Sequence, residues 1–218
     1  MLGILFCFVA TIIIPIYSNK YLNSKQQNLL GWILGSLIAS NYIVWIILEI
    51  IAGTFDIKIH LPFHLCRVAN MMILLVMIYK NDLLFQIVYY WGMSGVFQGI
   101  VTPDIVNDFP HFHFIRFWLG HNGMIICLVY AIVVHKMRPS MLGLKYAFIS
   151  INIFLIISVI ANLILDANYF WICEKPPVKS LLDYLGPWPW YILSAQFVAL
   201  LNFILAYFPF YMLKKSLR

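Results

Sequence analysis

Apolar runs long enough to cross a bilayer recur from one end of this chain to the other. A helix of roughly 20 apolar residues spans the hydrocarbon core, and a helix satisfies its own backbone hydrogen bonds there. The runs predict seven transmembrane helices at residues 2–18, 31–52, 59–79, 84–102, 113–134, 145–166 and 189–212. The predicted fold is therefore an all-α bundle forming a single transmembrane helical domain over residues 1–218. Six spans are the alternative if the short first run does not cross.

Charge is scarce, and its placement indicates topology. The chain is 63% hydrophobic and 10% charged, whereas soluble domains carry about 25% charged residues. Of its 14 Lys and Arg residues, nine fall on one side of the seven predicted spans and four on the other. Basic loops stay in the cytoplasm, so we expect the N-terminus outside and the C-terminus inside. The net charge of +6 is thus explained without nucleic acid, and we predict a multi-pass protein of the cell membrane.

Polar side chains concentrate in the outer halves of the third, fourth and fifth predicted spans. Treated as helical from residue 59, the third span puts its polar groups on one arc of about 160°. Ionisable groups at membrane depth are costly and mark candidate functional sites. The candidates are His60, His64, Cys66, Arg67, Asn70, Gln98, Arg116 and His121.

Depth singles out one pair among these residues. Cys66 lies about 10 Å below the outer end of the third span, and His121 about 12 Å below that of the fifth. A thiol beside an imidazole is the arrangement that nucleophilic catalysis requires. The bland alternative is that Cys66 is an inert small hydrophobe. His60 and His64 could ligate a metal or form structural hydrogen bonds. Since no zinc-finger spacing exists, we predict no metal site.

An aromatic and proline-rich segment, residues 182–191, opens the last span. Its Trp188 and Trp190 are typical of a belt at the membrane interface. The alternative is a rim that shapes an access path for a lipid headgroup or acyl chain, and on that basis both are included among the predicted substrate-binding residues.

The order of several short motifs resembles the bacterial YwaF-like integral membrane family over about residues 55 to 212. The motifs are His60-Leu-Pro-Phe-His-Leu-Cys66, Tyr90-Trp91-Gly92, Gln98, Thr102-Pro103-Asp104, Phe109-Pro110-His111-Phe112, Gly120-His121, Arg138-Pro139, Asn162, Asn168-Tyr169, Lys175-Pro176 and Gly186-Pro187-Trp188-Pro189-Trp190-Tyr191. That family is similar to a eukaryotic transmembrane acyltransferase that moves polyunsaturated acyl chains onto ether lysophospholipids. There a membrane cysteine and a later histidine are the proposed catalytic pair, and Cys66 and His121 match them.

The resemblance implies a lipid acyltransferase or transacylase that acts through a Cys66 thioester, with His121 as general base. The expected partners are a phospholipid acyl donor and a lysophospholipid acceptor, with no cofactor. In this hypothesis Arg67 or Arg116 binds the lipid phosphate, and Gln98 or Asn70 donates to the oxyanion. His60 and His64 complete the predicted substrate-binding set.

Two other functions fit the same residues. A small-molecule transporter or substrate-capture subunit would use an outward-facing polar pocket without needing the thiol. A lipid-binding protein without chemistry would keep the pocket and lose the thioester.

Overall fold

Seven long helical segments account for most of the described chain, and no strand occurs in residues 2–103, 105 and 107–216. These residues are the ones described by the structure, a computed structural model, with side chains over 9–103, 105 and 107–213. The side chain of Cys7, in the first apolar run, lies outside these ranges. The segments are α1 Leu2–Tyr21, α2 Ser24–Ala52, α3 Leu65–Tyr79, α4 Asp82–Trp91 with its continuation to Val101, α5 Phe112–Val133, α6 Met141–Leu165 and α7 Trp190–Ser216. Each predicted run corresponds to one helix, so the all-α prediction is confirmed.

Four helices are long and apolar enough to cross a membrane, as expected for an integral membrane protein. They are α2, α5, α6 and the Trp190–Leu213 part of α7, with 29, 22, 25 and 24 residues. The apolar helix α3 is shorter, at 15 residues, or about 22 Å at 1.5 Å per residue. These four helices support the membrane assignment on length and composition.

Local capping sets the helix ends that hydropathy misplaces. Asn23 and Gln26 form a capping box that begins α2 at Ser24, seven residues before the apolar run predicted from residue 31. The Ser140 side chain accepts a hydrogen bond from the Gly143 amide and begins α6. Gly53 ends α2 with a φ of 71°, a conformation that glycine adopts without strain. Polar caps thus extend the helices beyond their apolar cores.

A π-helical turn, Gly92–Val96, interrupts α4, which then continues as α-helix over Phe97–Val101. Such turns insert an extra residue and often lie at functional sites. This turn packs against α3, α5 and α7 at once. It is therefore the junction between the two halves of the bundle.

The core is built on α3, α4 and α5. On one side α2 packs on α3 and α5, and α1 packs on α5; on the other side α6 packs on α4, and α7 packs on α6 and the π turn. The fully buried core side chains include Ala69, Ile73, Val76, Met77, Phe85, Val88, Tyr90, Met124, Cys127, Leu128, Tyr130 and Ala131. The helices α2 and α5 thus belong to one half of the bundle, and α6 and α7 to the other. The space between these halves is available for a cavity.

The basic loops predicted to share one membrane face lie at one end of the bundle. Lys136 Nζ donates to Asn19 Oδ1 at 2.7 Å, and Lys80 Nζ donates to Asn28 Oδ1 at 2.6 Å. At the opposite end Lys58 Nζ pairs with Asp166 Oδ2 at 2.7 Å. The predicted site residues belong to this second end.

Candidate functional site

A cavity of about 710 Å³ opens between the two halves of the bundle. This volume is in the range of small-molecule sites. Eight of the ten predicted site residues line it, and helices α2 to α7 all contribute to its wall. Those eight are His60, His64, Cys66, Arg67, Asn70, Gln98, Arg116 and His121.

Cys66 lies in the first turn of α3. Pro62 disfavours helical backbone at Leu61. His64 is still extended, with φ −90° and ψ 136°, and the helix begins at the next residue, Leu65. The thiol is therefore carried at the positive end of the α3 dipole, where a thiolate is stabilised. This position suits a nucleophile better than a mid-helix position would.

His121 is fixed in position by its own helix turn. Its Nδ1 lies 2.9 Å from the carbonyl oxygen of Phe117, and its ring stacks on the Phe117 ring with centroids 4.0 Å apart. Since a carbonyl can only accept, Nδ1 carries the proton and Nε2 is left as an acceptor. The Cys66 thiol lies close enough to this imidazole to interact with it electrostatically, and both side chains line the cavity. The structure therefore brings the two predicted catalytic residues to one cavity.

Gly99 gives His121 its space. A Cβ atom at this position would lie 2.8 Å from both Cδ2 and Nε2 of the imidazole, closer than side-chain carbons normally approach. The end of α4 thus covers the histidine with bare backbone. No other residue type would allow this contact without moving the ring.

Two guanidinium groups flank the indole of Trp45. Cζ of Arg116 lies 3.8 Å and Cζ of Arg67 lies 4.8 Å from its ring centroid, within the range of cation–π contacts. Arg67 also donates from an Nη atom to the Ile59 and Leu61 carbonyls. Nε of Arg116 is buried without a hydrogen-bond partner. Within the described part of the chain neither arginine forms an ion pair with a carboxylate. Glu49 lines the same cavity, so the two arginines leave this wall with a net positive charge.

His60 and His64 line the cavity, but not on the helical arc that the sequence predicted. They precede α3, in an irregular segment over residues 54–64. His60 Nδ1 accepts a hydrogen bond from the Asp56 amide at 2.8 Å. The His64 ring packs against the aromatic rings of Tyr169 and Trp171, with centroids 5.5 and 5.3 Å away. Pro62 and these contacts replace the predicted helical turn. Among the described residues no group of three or more His, Cys, Asp or Glu side chains could hold a metal ion.

The two amides predicted to donate to an oxyanion also reach the cavity. Gln98 Nε2 donates to Thr102 Oγ1 at 3.3 Å. Asn70 is buried, and its Oδ1 has no hydrogen-bond partner. A buried amide oxygen without a partner is costly in a folded protein, so a ligand with a hydrogen-bond donor would satisfy Asn70 Oδ1, whereas donation to an oxyanion would use Nδ2.

Trp188 and Trp190 lie outside the cavity wall. They are 63% and 62% exposed, and Trp188 Nε1 donates to the Ile172 carbonyl at 3.2 Å. Their place at the start of α7 matches the interface-belt alternative. Both indoles thus lie on the outer surface and not among the residues that line the cavity, where the sequence had placed them.

The sequence interpretation missed Trp45, Glu49 and Gly99. Trp45 Nε1 donates to Glu49 Oε1 at 2.7 Å one turn later on α2. Glu49 could have been identified from the sequence, because an ionisable residue inside a predicted span is a candidate functional residue. The same rule had selected the arginines. Gly99 had no comparable signal, since its role depends on which helix it faces.

Tyr169 holds the segment that leads into Cys66. Its amide and carbonyl are bound by the Asn162 side chain at 2.7 and 2.9 Å. Its hydroxyl donates to the Ile57 carbonyl and accepts from the Leu61 amide. The loop after α6 therefore fixes residues 57–61.

Tyr169→Phe should lower stability by about 1–3 kcal/mol, because it leaves two backbone groups of residues 57 and 61 without their partner. We expect a lower midpoint of thermal unfolding in detergent. Tyr184→Phe is the control, since Tyr184 is 71% exposed. Equal midpoints for the two variants would show that the Tyr169 hydroxyl does not hold the segment.

Comparison with known proteins gives a family but no characterised activity. An uncharacterized protein of Treponema pallidum (strain Nichols) is 27% identical over 150 residues, which is 69% of this chain. The chain spans 62% of that protein's length. No solved structure matches the chain. The narrower YwaF-like assignment is not confirmed. The TMEM164 family model matches residues 1–207, and the chain therefore belongs to the TMEM164 family.

Proposed function

We propose that this protein is a membrane-embedded lipid acyltransferase or transacylase that uses Cys66 as nucleophile and His121 as general base. The observation that carries the proposal is that the Cys66 thiol and the His121 imidazole line one cavity together with Arg67 and Arg116. Depth and resemblance had already pointed to this pair. An inert cysteine would need neither a histidine with Nε2 free to accept nor a place at a helix N-terminus.

In the proposed reaction His121 Nε2 takes the thiol proton, and the Cys66 sulfur attacks the ester carbonyl carbon of a phospholipid. The C–S bond forms, the ester C–O bond breaks, and the leaving oxygen takes the proton from the imidazolium. The acceptor hydroxyl of a lysophospholipid then gives its proton to His121 and attacks the thioester. The C–S bond breaks, and the sulfur regains the proton. Asn70 or Gln98 would donate to the oxyanion in both halves, and no cofactor takes part.

The arginines beside Trp45 are the proposed phosphate site. Their cationic wall has no carboxylate ion pair in the described chain, and Nε of Arg116 has no partner. Guanidinium groups suit phosphate because they donate two parallel hydrogen bonds. A phospholipid with its phosphate here would present its ester toward the junction of α3, α4 and α5.

Arg116→Gln should raise KM for a phospholipid donor by about 10- to 100-fold, the equivalent of one lost charged hydrogen bond. KM for a neutral diacylglycerol donor should change little, because that lipid has no phosphate. Arg138→Gln removes the same charge at the opposite end of the bundle and serves as control. A similar rise for both donors would contradict the phosphate assignment.

The proposed topology has seven spans, with the N-terminus outside and the C-terminus in the cytoplasm. The nine-to-four division of basic residues between the two sides supports this topology. The position of Lys80 and Lys136 at the same end of the bundle supports it as well. The cavity then opens in the outer half of the membrane.

The direct test of the function is acyl exchange by purified protein in nanodiscs. A phospholipid labelled in its acyl chain and an unlabelled lysophospholipid should yield labelled diacyl product without added cofactor. Heat-inactivated protein is the control. If no exchange occurs with any of a panel of phospholipid donors with different headgroups and of lysophospholipid acceptors, the proposed function is refuted.

Capture or transport of a small molecule is the second candidate. The cavity itself favours it, because buried oxygens of Asn70 and Gln196 without partners would suit any ligand with donor groups. Transport does not require the thiol. A lipid-linked maleimide that labels Cys66 no faster than exposed Cys173 would favour this second candidate.

A further inference from the structure

The two walls of the cavity differ in polarity. One wall holds Trp45 of α2 with its two arginines, Arg67 of α3 and Arg116 of α5. The facing wall, from α6 and α7, is mainly aliphatic. Its apolar members are Ile151, Leu155, Ile192, Ala195, Val198 and Ala199. Gln196 and Asn202 are the polar α7 residues in this wall. The cavity is therefore amphipathic across its width.

The reactive pair lies between these two walls. Cys66 lies in the first turn of α3 and His121 lies on α5. The π turn of α4 packs against both of those helices and also against α7. Gly99, just after that turn, lies against the His121 ring. A ligand whose ester reaches the thiol thus has the cationic wall on one side and the α6–α7 wall on the other.

We propose that the α6–α7 wall is the acyl-chain site and that Ala195 and Ala199 set the chain length it accepts. This inference rests on the proposed function for its ligand. An amphipathic ester with its phosphate at the arginines has its apolar chain directed toward the aliphatic wall, because burial of methylene groups there is favourable. Ala195 and Ala199 are one helical turn apart on the same face, and their small side chains leave the cavity its depth.

Ala195→Phe and Ala199→Phe test the site by filling it. A mixture of saturated phospholipid donors of graded chain length is offered together with one lysophospholipid. We expect the ratio of longest to shortest chain transferred to fall roughly tenfold, the scale at which an apolar pocket discriminates by size. Leu201→Phe is the control, because Leu201 is on α7, is 55% exposed and lies outside the cavity. It should leave the ratio unchanged.

A second readout separates this inference from the acyltransferase proposal. In a Cys66→Ser background the acyl chains of bound lipid are profiled by native mass spectrometry, with and without Ala199→Phe. A shift toward short chains in bound lipid supports the acyl site even if no transfer occurs in any variant. If transfer occurs with unchanged chain ratios in Ala195→Phe and Ala199→Phe, and bound lipid is unchanged by Ala199→Phe, the acyl site alone is overturned. Loss of folding is checked by the elution volume of each variant.

Discussion

Cys66→Ala should abolish acyl transfer, with a fall in kcat of about 10,000-fold or more, because no other group would form the acyl intermediate. His121→Ala should approach the same loss, and the double variant should be no worse than either single one. Residues that act as one unit show this non-additivity. The measurement is the initial rate of labelled diacyl product in nanodiscs.

Cys173→Ser is the matched control for this prediction. Cys173 is a free and exposed thiol that lies outside the cavity wall, so its loss should leave kcat within a factor of about two. Transfer by Cys66→Ala at the rate of Cys173→Ser would assign the chemistry to some other group.

Gly99→Val should lower kcat by about 100-fold without removing any polar group from the site. A Cβ at this position lies 2.8 Å from His121 Nε2, and the ring cannot retreat easily because Phe117 holds it by stacking and by its carbonyl. Misplacing a catalytic group by about 1 Å can cost that much. The rate and the alkylation of Cys66 by a maleimide are measured together.

Gly31→Ala is the control for added bulk beside a histidine. A Cβ there lies 3.0 Å from His135 Nε2, outside the cavity wall. We expect its kcat to stay near that of the unmodified protein. If Gly99→Val were fully active and folded, the position of His121 would not matter to the reaction, and its role as general base would be lost.

The sequence was a good guide to the helices and a weaker guide to their ends. Apolar runs find every helix because the hydrophobic effect sets which segments are buried or face lipid. The beginning of α2 at Ser24 depends instead on the Asn23 capping box. The late beginning of α3 at Leu65 depends on Pro62 and on contacts with residues far along the chain.

The same distinction applies to the site. Counting residues from the span ends predicted that Cys66 and His121 lie at one depth. That count assumed helix from residue 59, whereas α3 begins at Leu65, and both residues nevertheless line one cavity. The direction in which a side chain points from its helix depends on packing between helices. The placement of Arg67 and Arg116 against Trp45 and of Gly99 against His121 could therefore not be predicted. Trp188 and Trp190 were grouped with the site on composition, although aromatic residues near a span end serve the interface equally well.

In the proposed reaction Cys66 carries the acyl group, and this covalent intermediate can be detected directly. Purified protein is incubated with a phospholipid donor in the absence of an acceptor, quenched in acid, digested and examined by mass spectrometry. We expect the mass of the donor acyl chain on the peptide that contains Cys66. Neutral hydroxylamine should remove this mass, and Cys66→Ser should lack it. Transfer activity with that peptide unmodified at every time point, or the acyl group on another residue, would contradict it.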